Sequence, residues 1–322
     1  MLTRQLGKNG PEVPVVCIGT WGIGGAYGQV DDKSAINLLR TAVDSGLTFI
    51  DTAEIYNDSE KLVGKAITNY REQVFLATKL SYGDDSSERI ETALHTSLKL
   101  LRTDHIDLYQ LHTPSKIGRP VEDTMADLLR YKDAGKIRYI GVSNFSPQQI
   151  DEVAQTGIVD SSQPRYSMLF RDSEKAELPA CVRNGIGAMV YSVMAKGLLA
   201  SKYKPGHIFP VEDERSNWPH FKGQLFEQIY SVTEKLKEWA ADHGRDMAQL
   251  SVAWVLTNPA VTSAIVGVTR QDQIQQNARA GDWVLSPNQL AELENIQGDL
   301  RLSQDPAWLT RRRKEQELEN RD

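Results

Sequence analysis

The sequence predicts a (β/α)8 TIM barrel, an α/β fold, preceded by an N-terminal β-hairpin and followed by a C-terminal helical extension, in one domain over residues 1–322. Three observations carry that reading. Short apolar runs alternate with segments of helical spacing eight times along the chain. The runs are continuous rather than alternating polar with apolar, as strands covered on both faces require. Three successive runs lead into polar side chains, Asp51 with Tyr56 close behind, then Lys79, then His112, and a parallel barrel gathers its strand ends at one mouth.

The composition bounds the function. A chain of 322 residues with 40% hydrophobic and 25% charged residues is ordinary for a globular protein. A net charge of -6 gives no hint of a nucleic-acid or anionic-membrane partner. Cys17 and Cys181 stand far apart in apolar surroundings and read as buried reduced thiols. The opening Met1-Leu2-Thr3-Arg4-Gln5-Leu6-Gly7-Lys8 lacks the apolar core of a signal peptide, and no stretch is long enough to span a bilayer, so a cytoplasmic location is expected.

In chain order, Gly7 and Asn9-Gly10-Pro11 form a turn cluster inside residues 2–13, a hairpin expected to plug one end of the barrel. The first barrel strand is Val15-Val16-Cys17-Ile18. A glycine-rich loop follows over residues 19–28, then a helix capped by Asp31 or Asp32 and stopped by Gly46. The second strand is the run from Leu47 into Asp51, with a helix over 59–69. The third is Val74-Phe75-Leu76-Ala77-Thr78, before a helix capped by Ser86 or Ser87. The fourth, Ile106-Asp107-Leu108-Tyr109-Gln110-Leu111, precedes a helix entered at Pro120 and ended before Gly135. The fifth strand covers 137–142, and Ser146-Pro147-Gln148-Gln149 opens its helix with a capping box. The sixth covers 158–163, followed by a helix over 174–184 made irregular by Pro179. The seventh covers 188–192 and leads into a loop over 193–222, of a length that usually serves function. A helix over 225–241 with Leu225, Ile229, Val232, Leu236 and Trp239 on one face, a helix over 246–257, an eighth strand over 264–266, a helix over 271–280 and one opened by Ser286-Pro287-Asn288-Gln289 complete the pattern. The terminal Arg311-Arg312-Arg313-Lys314 run, interleaved with Glu315, Glu317 and Glu319, reads as a solvated face.

Gly22, Gly24 and Gly28, with Asp51 at the next strand end, approximate a dinucleotide-binding fingerprint. Two features argue against it: the helix starts several residues beyond the glycines behind its own cap, and Asp51 stands beside Tyr56 rather than alone.

The four polar residues make sense together as reduction chemistry. A carbonyl oxygen gains negative charge as hydride arrives, so a donor must stabilise it. Tyr56 carries a suitable proton but has a reference pKa of about 10, so neighbours that lower it are expected: Lys79 as a nearby cation, and His112 through a hydrogen bond that orients the phenol. Asp51 would pair with Lys79 and hold its charge. Singly, a strand-end Lys, a lone His and a turn Tyr are usually structural; three successive strand ends at one face argue otherwise. No His or Cys cluster at metal-ligand spacing, nucleophile elbow or phosphate loop is present in the sequence.

Asp51-Thr52-Ala53-Glu54-Ile55-Tyr56, Lys79, His112 and Gly141-Val142-Ser143-Asn144-Phe145 together resemble the aldo-keto reductase family, from the hairpin through the Asn277 helix, and most nearly its bacterial inositol-operon and general-stress branch. The resemblance implies an NADP(H)-dependent oxidoreductase acting on a small-molecule aldehyde or ketone, with NADPH preferred and NADH possible, bound extended across the barrel mouth. It implies catalytic roles for Asp51, Tyr56, Lys79 and His112, with Tyr56 as general acid, and a substrate pocket at Trp21, Tyr56 and His112. Ser143, Asn144 and Gln163 would meet the carboxamide and Tyr191 would stack on the nicotinamide, beside Gly19, Thr20, Trp21 and Ser192. Gly197, Leu198, Lys202 and Arg215 would meet the phosphates; Gly267, Thr269, Arg270, Gln273 and Asn277 would receive the adenosine end. Two positions depart from the family: Asn57 where Gly is common after the catalytic Tyr, a turn Asn can tolerate, and Thr269 where related bacterial members often carry Lys. Tyr27 and Trp218 are further aromatic residues expected on the substrate side. The competing reading, from another class, is a cofactor-binding regulatory subunit with little turnover, since fold alone does not choose; the intact four-residue constellation favours an enzyme.

Overall fold

A computed structural model describes residues 1–28 and 30–302; the Arg311 to Lys314 run lies outside the described residues. An antiparallel hairpin, β1 (Thr3–Gln5) and β2 (Glu12–Pro14), opens the chain. Eight strands then close a parallel barrel: β3 (Val16–Gly19), β4 (Phe49–Asp51), β5 (Phe75–Leu80), β6 (Ile106–Leu111), β7 (Ile137–Ser143), β8 (Val159–Gln163), β9 (Gly187–Val190) and β10 (Val261–Gly267). Each pairs in parallel with its sequence neighbours, and β10 returns to β3, with Gly267 opposite Gly19. Around it lie α1 (Asp32–Asp44), α2 (Ser59–Ile67), α3 (Ser87–Leu101), α4 (Val121–Asp133), α5 (Pro147–Ala154), α6 (Glu177–Asn184), α8 (Met247–Leu256) and α9 (Gln271–Ala280), with α7 (Gly223–Asp242) and α10 (Pro287–Gln297) completing the described chain. Among the described residues no helix is long and apolar enough to cross a membrane.

The alternation of side chains along each strand creates two cores. Val16, Ile18, Ile50, Leu76, Ile140, Val142, Ala188, Val190, Ala264 and Val266 point outward into the layer shared with the helices. Cys17, Phe49, Ala77, Leu108, Met189 and Ile265 point into the lumen, where Leu6 and Val13 of the hairpin close over them. The expected plug is therefore present. Full burial of a side chain such as Phe49 is worth about 1.5–3 kcal/mol, so the lower lumen is a packed apolar layer and not a channel.

Helix starts follow the local chemistry. Asp31 accepts from the Ser34 backbone N–H at 2.8 Å, and Ser146, Asp246 and Ser286 each form a reciprocal capping box. α4 is entered at Pro120, which stands at its N-cap. Three expectations need correction. Pro179 does not distort α6, because that helix starts at Glu177 and places the proline in the first turn, where its missing N–H costs nothing. The buried face of α7 is Phe226, Ile229, Thr233, Leu236 and Ala240, with Leu225, Val232 and Trp239 only partly covered. The third barrel strand runs on to Leu80, so Lys79 lies within it and faces the lumen instead of following it.

Candidate active site

Above the apolar layer, the inward positions two residues further along the same strands are polar. Phe49 is followed on its face by Asp51, Ala77 by Lys79 and Leu108 by Gln110. Lys79 is fully buried, and its Nζ donates to Asp51 Oδ2 at 2.5 Å and to the Thr52 carbonyl at 2.8 Å. The other carboxylate oxygen, Asp51 Oδ1, accepts from Gln110 Nε2 at 3.1 Å and Gln163 Nε2 at 3.0 Å. Burial alone would push the Lys79 ammonium down, yet Asp51 and Tyr56 together hold its pKa above the ordinary lysine value. The pair is a charged one in a closed space.

Tyr56 reaches the same point from the loop after β4. That loop is clamped at Glu54, whose carboxylate takes Arg89 at 2.7 Å on each oxygen and accepts the Ser81 backbone N–H. Asn57, at φ 47, donates from Nδ2 to the Gly24 carbonyl at 2.8 Å, so the departure from glycine there is accommodated. Gly24 itself is required by space, since a Cβ there would collide with the Tyr56 carbonyl oxygen. The glycine loop thus supports the tyrosine and does not open a helix, against the dinucleotide-fingerprint reading.

Lys79 Nζ lies 5.1 Å from the centre of the Tyr56 ring, close enough for its charge to act on the phenol. Burial raises the Tyr56 pKa, Lys79 pulls it down, and Asp51 pushes it back up; the net direction is upward. The expectation of a lowered phenol is thereby corrected in sign, because desolvation outweighs the ammonium. Tyr56 carries its proton at neutral pH. His112 packs edge-on against Tyr56 with ring centres 5.8 Å apart, and among the described residues no hydrogen bond joins the two. Its Nδ1 bonds instead with Ser81 Oγ at 2.8 Å. Burial, aided by the Lys79 charge, lowers the His112 pKa to about 3, so the ring is neutral and Nε2 is its second polar edge. Trp21 completes this corner, with its ring 4.8 Å from Tyr56.

The ends of β7, β8 and β9 bring another expected set together. Ser143 Oγ donates to the Gln163 carbonyl at 3.0 Å, Asn144 Nδ2 donates to the His112 carbonyl at 2.9 Å, and Tyr191 donates its hydroxyl proton to Asn144 Oδ1 at 2.8 Å. Asn144 and Ser192 sit at φ 61 and 59, tight turns at the mouth. Thr20 Oγ1 donates to the Asp51 carbonyl at 3.0 Å and accepts from Ser59, so it braces β4 from within.

The long loop after β9 crosses to the β3 loop. Glu214 accepts from Trp21 Nε1 at 3.1 Å and pairs with Lys196 at 2.9 Å. Arg215 is buried: it pairs with Asp213 and lies 4.5 Å from the Tyr27 ring and 4.9 Å from Tyr203, beside Gly197. Leu198 is buried and Lys202 exposed over Tyr203. Tyr27 thus faces Arg215, and Trp218 packs with Phe170 and His220 in the loop's own aromatic cluster. After β10, Gln273 Oε1 accepts from Thr269 N at 2.8 Å and Arg270 N at 3.1 Å, while Arg270 is exposed and paired with Asp272 at 2.8 Å. Asn277 is buried, and its Nδ2 has no hydrogen-bond partner among the described residues.

Sequence reasoning missed Gln110, Ser81, Lys196 and Glu214. Gln110 had a signal, a polar residue inside an apolar strand; Ser81 had the two-residue offset from Lys79. Two surface hollows of about 500 and 610 Å3 lie at the opposite end of the barrel, lined by basic residues such as Lys99, Arg102, Lys136 and Arg138. They share no residue with the polar lumen, and chemistry rather than volume locates the site.

The family described as "Aldo/keto reductase family" matches residues 15–297. The chain is 34% identical over 306 residues to "Aldo-keto reductase YhdN" of Bacillus subtilis (strain 168), covering 91% of this chain and 92% of the relative. Among solved structures it is similar to the glycerol dehydrogenase AKR11B4 from Gluconobacter oxydans, at 30% identity and TM-score 0.83 over 92% of this chain and 94% of that one. It is also similar to an aldo/keto reductase from Klebsiella pneumoniae in complex with NADP and acetate, at 28% identity and TM-score 0.75 over 92% and 95%.

Proposed function

The chain belongs to the aldo/keto reductase family, and from that premise we propose that it reduces aldehydes or ketones with NADP(H), with Tyr56 as the proton donor and the barrel as the single catalytic unit. The observation that carries the reading is the convergence of a protonated Tyr56, a charged Lys79 held by Asp51, and a neutral His112 at one corner of the barrel mouth.

The residues present fit the cofactor. Asn277 offers an unpartnered buried amide where adenine would lie, Arg270 a cation for the 2′-phosphate, and Arg215 with Gly197 a charged, close-packed turn for the pyrophosphate. Gln163, Asn144 and Ser143 supply amide and hydroxyl groups for the carboxamide beside the Tyr191 face. When bound, the nicotinamide supplies the hydride. The protein supplies the rest. Tyr56 delivers a proton to the carbonyl oxygen, and Lys79 stabilises the phenolate left behind, its own charge fixed by Asp51. His112 Nε2 and Trp21 border the space for the carbonyl substrate. The glycerol dehydrogenase similarity supports reversibility toward alcohol oxidation, and the NADP of the Klebsiella pneumoniae structure supports the choice of cofactor.

Fluorescence titration with NADPH and NADH, followed by stopped-flow oxidation of bound NADPH against a panel of small aldehydes and ketones, tests the reading. Tight NADPH binding with carbonyl-dependent oxidation is expected. Binding without oxidation by any carbonyl would shift the protein to a cofactor-sensing regulatory role, and absence of binding would remove the site.

A further inference from the structure

We propose that Gln110, an amide in the lumen that the mechanism above leaves unused, is a positioning residue that locks the Gln163 side chain in the orientation Asp51 requires and so prepares it for the nicotinamide carboxamide. The proposal rests on the reductase reading and deepens it.

Two glutamine side chains, from β6 and β8, converge on a single carboxylate oxygen. Gln110 Nε2 and Gln163 Nε2 lie 3.1 and 3.0 Å from Asp51 Oδ1. A carboxylate bonded to an ammonium at 2.5 Å is ionised and only accepts, so both amides must turn their NH2 groups toward it. That requirement fixes which end of each amide is nitrogen. Gln110 Oε1 then accepts the second proton of Gln163 Nε2 at 3.2 Å. Both N–H groups of Gln163 are thus spent inside the barrel, and its Oε1, with no partner among the described residues, is left to accept. A primary carboxamide NH2 is the donor that matches it.

Room for Gln110 is made by Gly141 of β7. A Cβ at that position would collide with Ser161 Oγ and stand 2.9 Å from Gln110 Cγ, closer than side chains tolerate. The glycine that opens the Gly141-Val142-Ser143-Asn144-Phe145 stretch thereby leaves space for both Ser161 of β8 and the β6 glutamine. Removal of Gln110 would leave Gln163 with one anchor in place of two and its amide free to turn. The titratable groups around Gln110 are Asp51 from β4, Lys79 from β5 and, deeper, the Cys17 thiol from β3; Gly141, Ser161 and Gln163 from β7 and β8 are neutral.

The test uses the full chain and fluorescence titration with NADPH, NADH and the adenosine fragment 2′,5′-ADP, alongside melting of the free protein. Gln110→Leu is expected to weaken NADPH and NADH alike by about fivefold, the equivalent of one hydrogen bond, and to leave 2′,5′-ADP binding unchanged. Gln110→Glu supplies the second readout. Its new carboxyl, when protonated, donates to Asp51 and accepts from Gln163 as the amide does; burial and the Asp51 charge raise its pKa. NADPH affinity in this variant should approach wild type at the acid end and fall as pH rises, a dependence absent from Gln110→Leu. NADPH binding by Gln110→Leu within twofold of wild type, or an equal loss of 2′,5′-ADP, would overturn the proposal. If that variant fails to fold, a pH-independent NADPH affinity in Gln110→Glu does so. Failure of the wild-type protein to bind NADPH would instead sink the reductase reading and this proposal with it.

Discussion

The lower and upper halves of the barrel lumen are built from the same strands, two residues apart, and obey opposite rules. Below, Phe49, Ala77 and Leu108 pack against Leu6 and Val13 of the hairpin, and shape and volume decide what is tolerated. Above, Asp51, Lys79 and Gln110 occupy the next inward positions, and hydrogen-bond partners decide what is tolerated, Asp51 taking Lys79, Gln110 and Gln163 at once. The apolar plug therefore does more than seal the barrel. It adds to the burial of the polar layer, and burial is the main influence on the protonation of both Tyr56 and His112, with the Lys79 charge second.

The separation can be broken most severely at Lys79. Lys79→Met leaves the buried Asp51 carboxylate with only the two glutamine amides, a loss of about 3–5 kcal/mol by analogy with other broken buried pairs, and turnover should fall at least ~100-fold. Urea unfolding and aldehyde-dependent NADPH oxidation read the two effects; unchanged values in both would mean the pair is incidental. Phe49→Ala tests the other half. It should cost about 3–5 kcal/mol of stability while turnover per folded molecule stays within twofold, and a parallel loss of rate would show that the halves are not independent.

Arg270→Ala probes the mouth far from both layers. NADPH binding should weaken by about tenfold at low salt with NADH unaffected, and equal losses for the two cofactors would take Arg270 away from the 2′-phosphate. A further prediction concerns acid. The His112 pKa falls from 6.5 to about 3 in the folded chain, so between those values the unfolded chain takes up a proton that the native one refuses, and stability drops as pH falls. His112→Gln should flatten the dependence of Tm on pH from 6.5 to 4. The same slope in both proteins would assign the acid sensitivity elsewhere.

Much of this was legible in the sequence because it is local. The strands announce themselves as apolar runs, and caps such as Ser146 and Ser286 need only their own next turn to form. Asp51 and His112 mark strand ends by being polar where the run stops. What escaped depends on packing between distant segments. Leu225, Val232 and Trp239 form as good a stripe as Phe226, Thr233 and Ala240, and only the neighbouring helices select between them. Arg215 looks like any loop arginine until Asp213 and the rings of Tyr27 and Tyr203 enclose it. Gln110 is a polar residue in an apolar strand whose purpose becomes visible only when β4 and β8 place Asp51 and Gln163 beside it. The upward shift of the Tyr56 pKa likewise follows from burial, which motif reading does not measure.

The most direct measurement is single-turnover oxidation of bound NADPH by an aldehyde, in wild-type protein and in Tyr56→Phe, with the NADPH dissociation constant of each. Tyr56→Phe is expected to bind NADPH within twofold of wild type and to transfer hydride about 10²–10⁴-fold more slowly. Equal rates in the two proteins would contradict that expectation and remove Tyr56 from the proton-donor role.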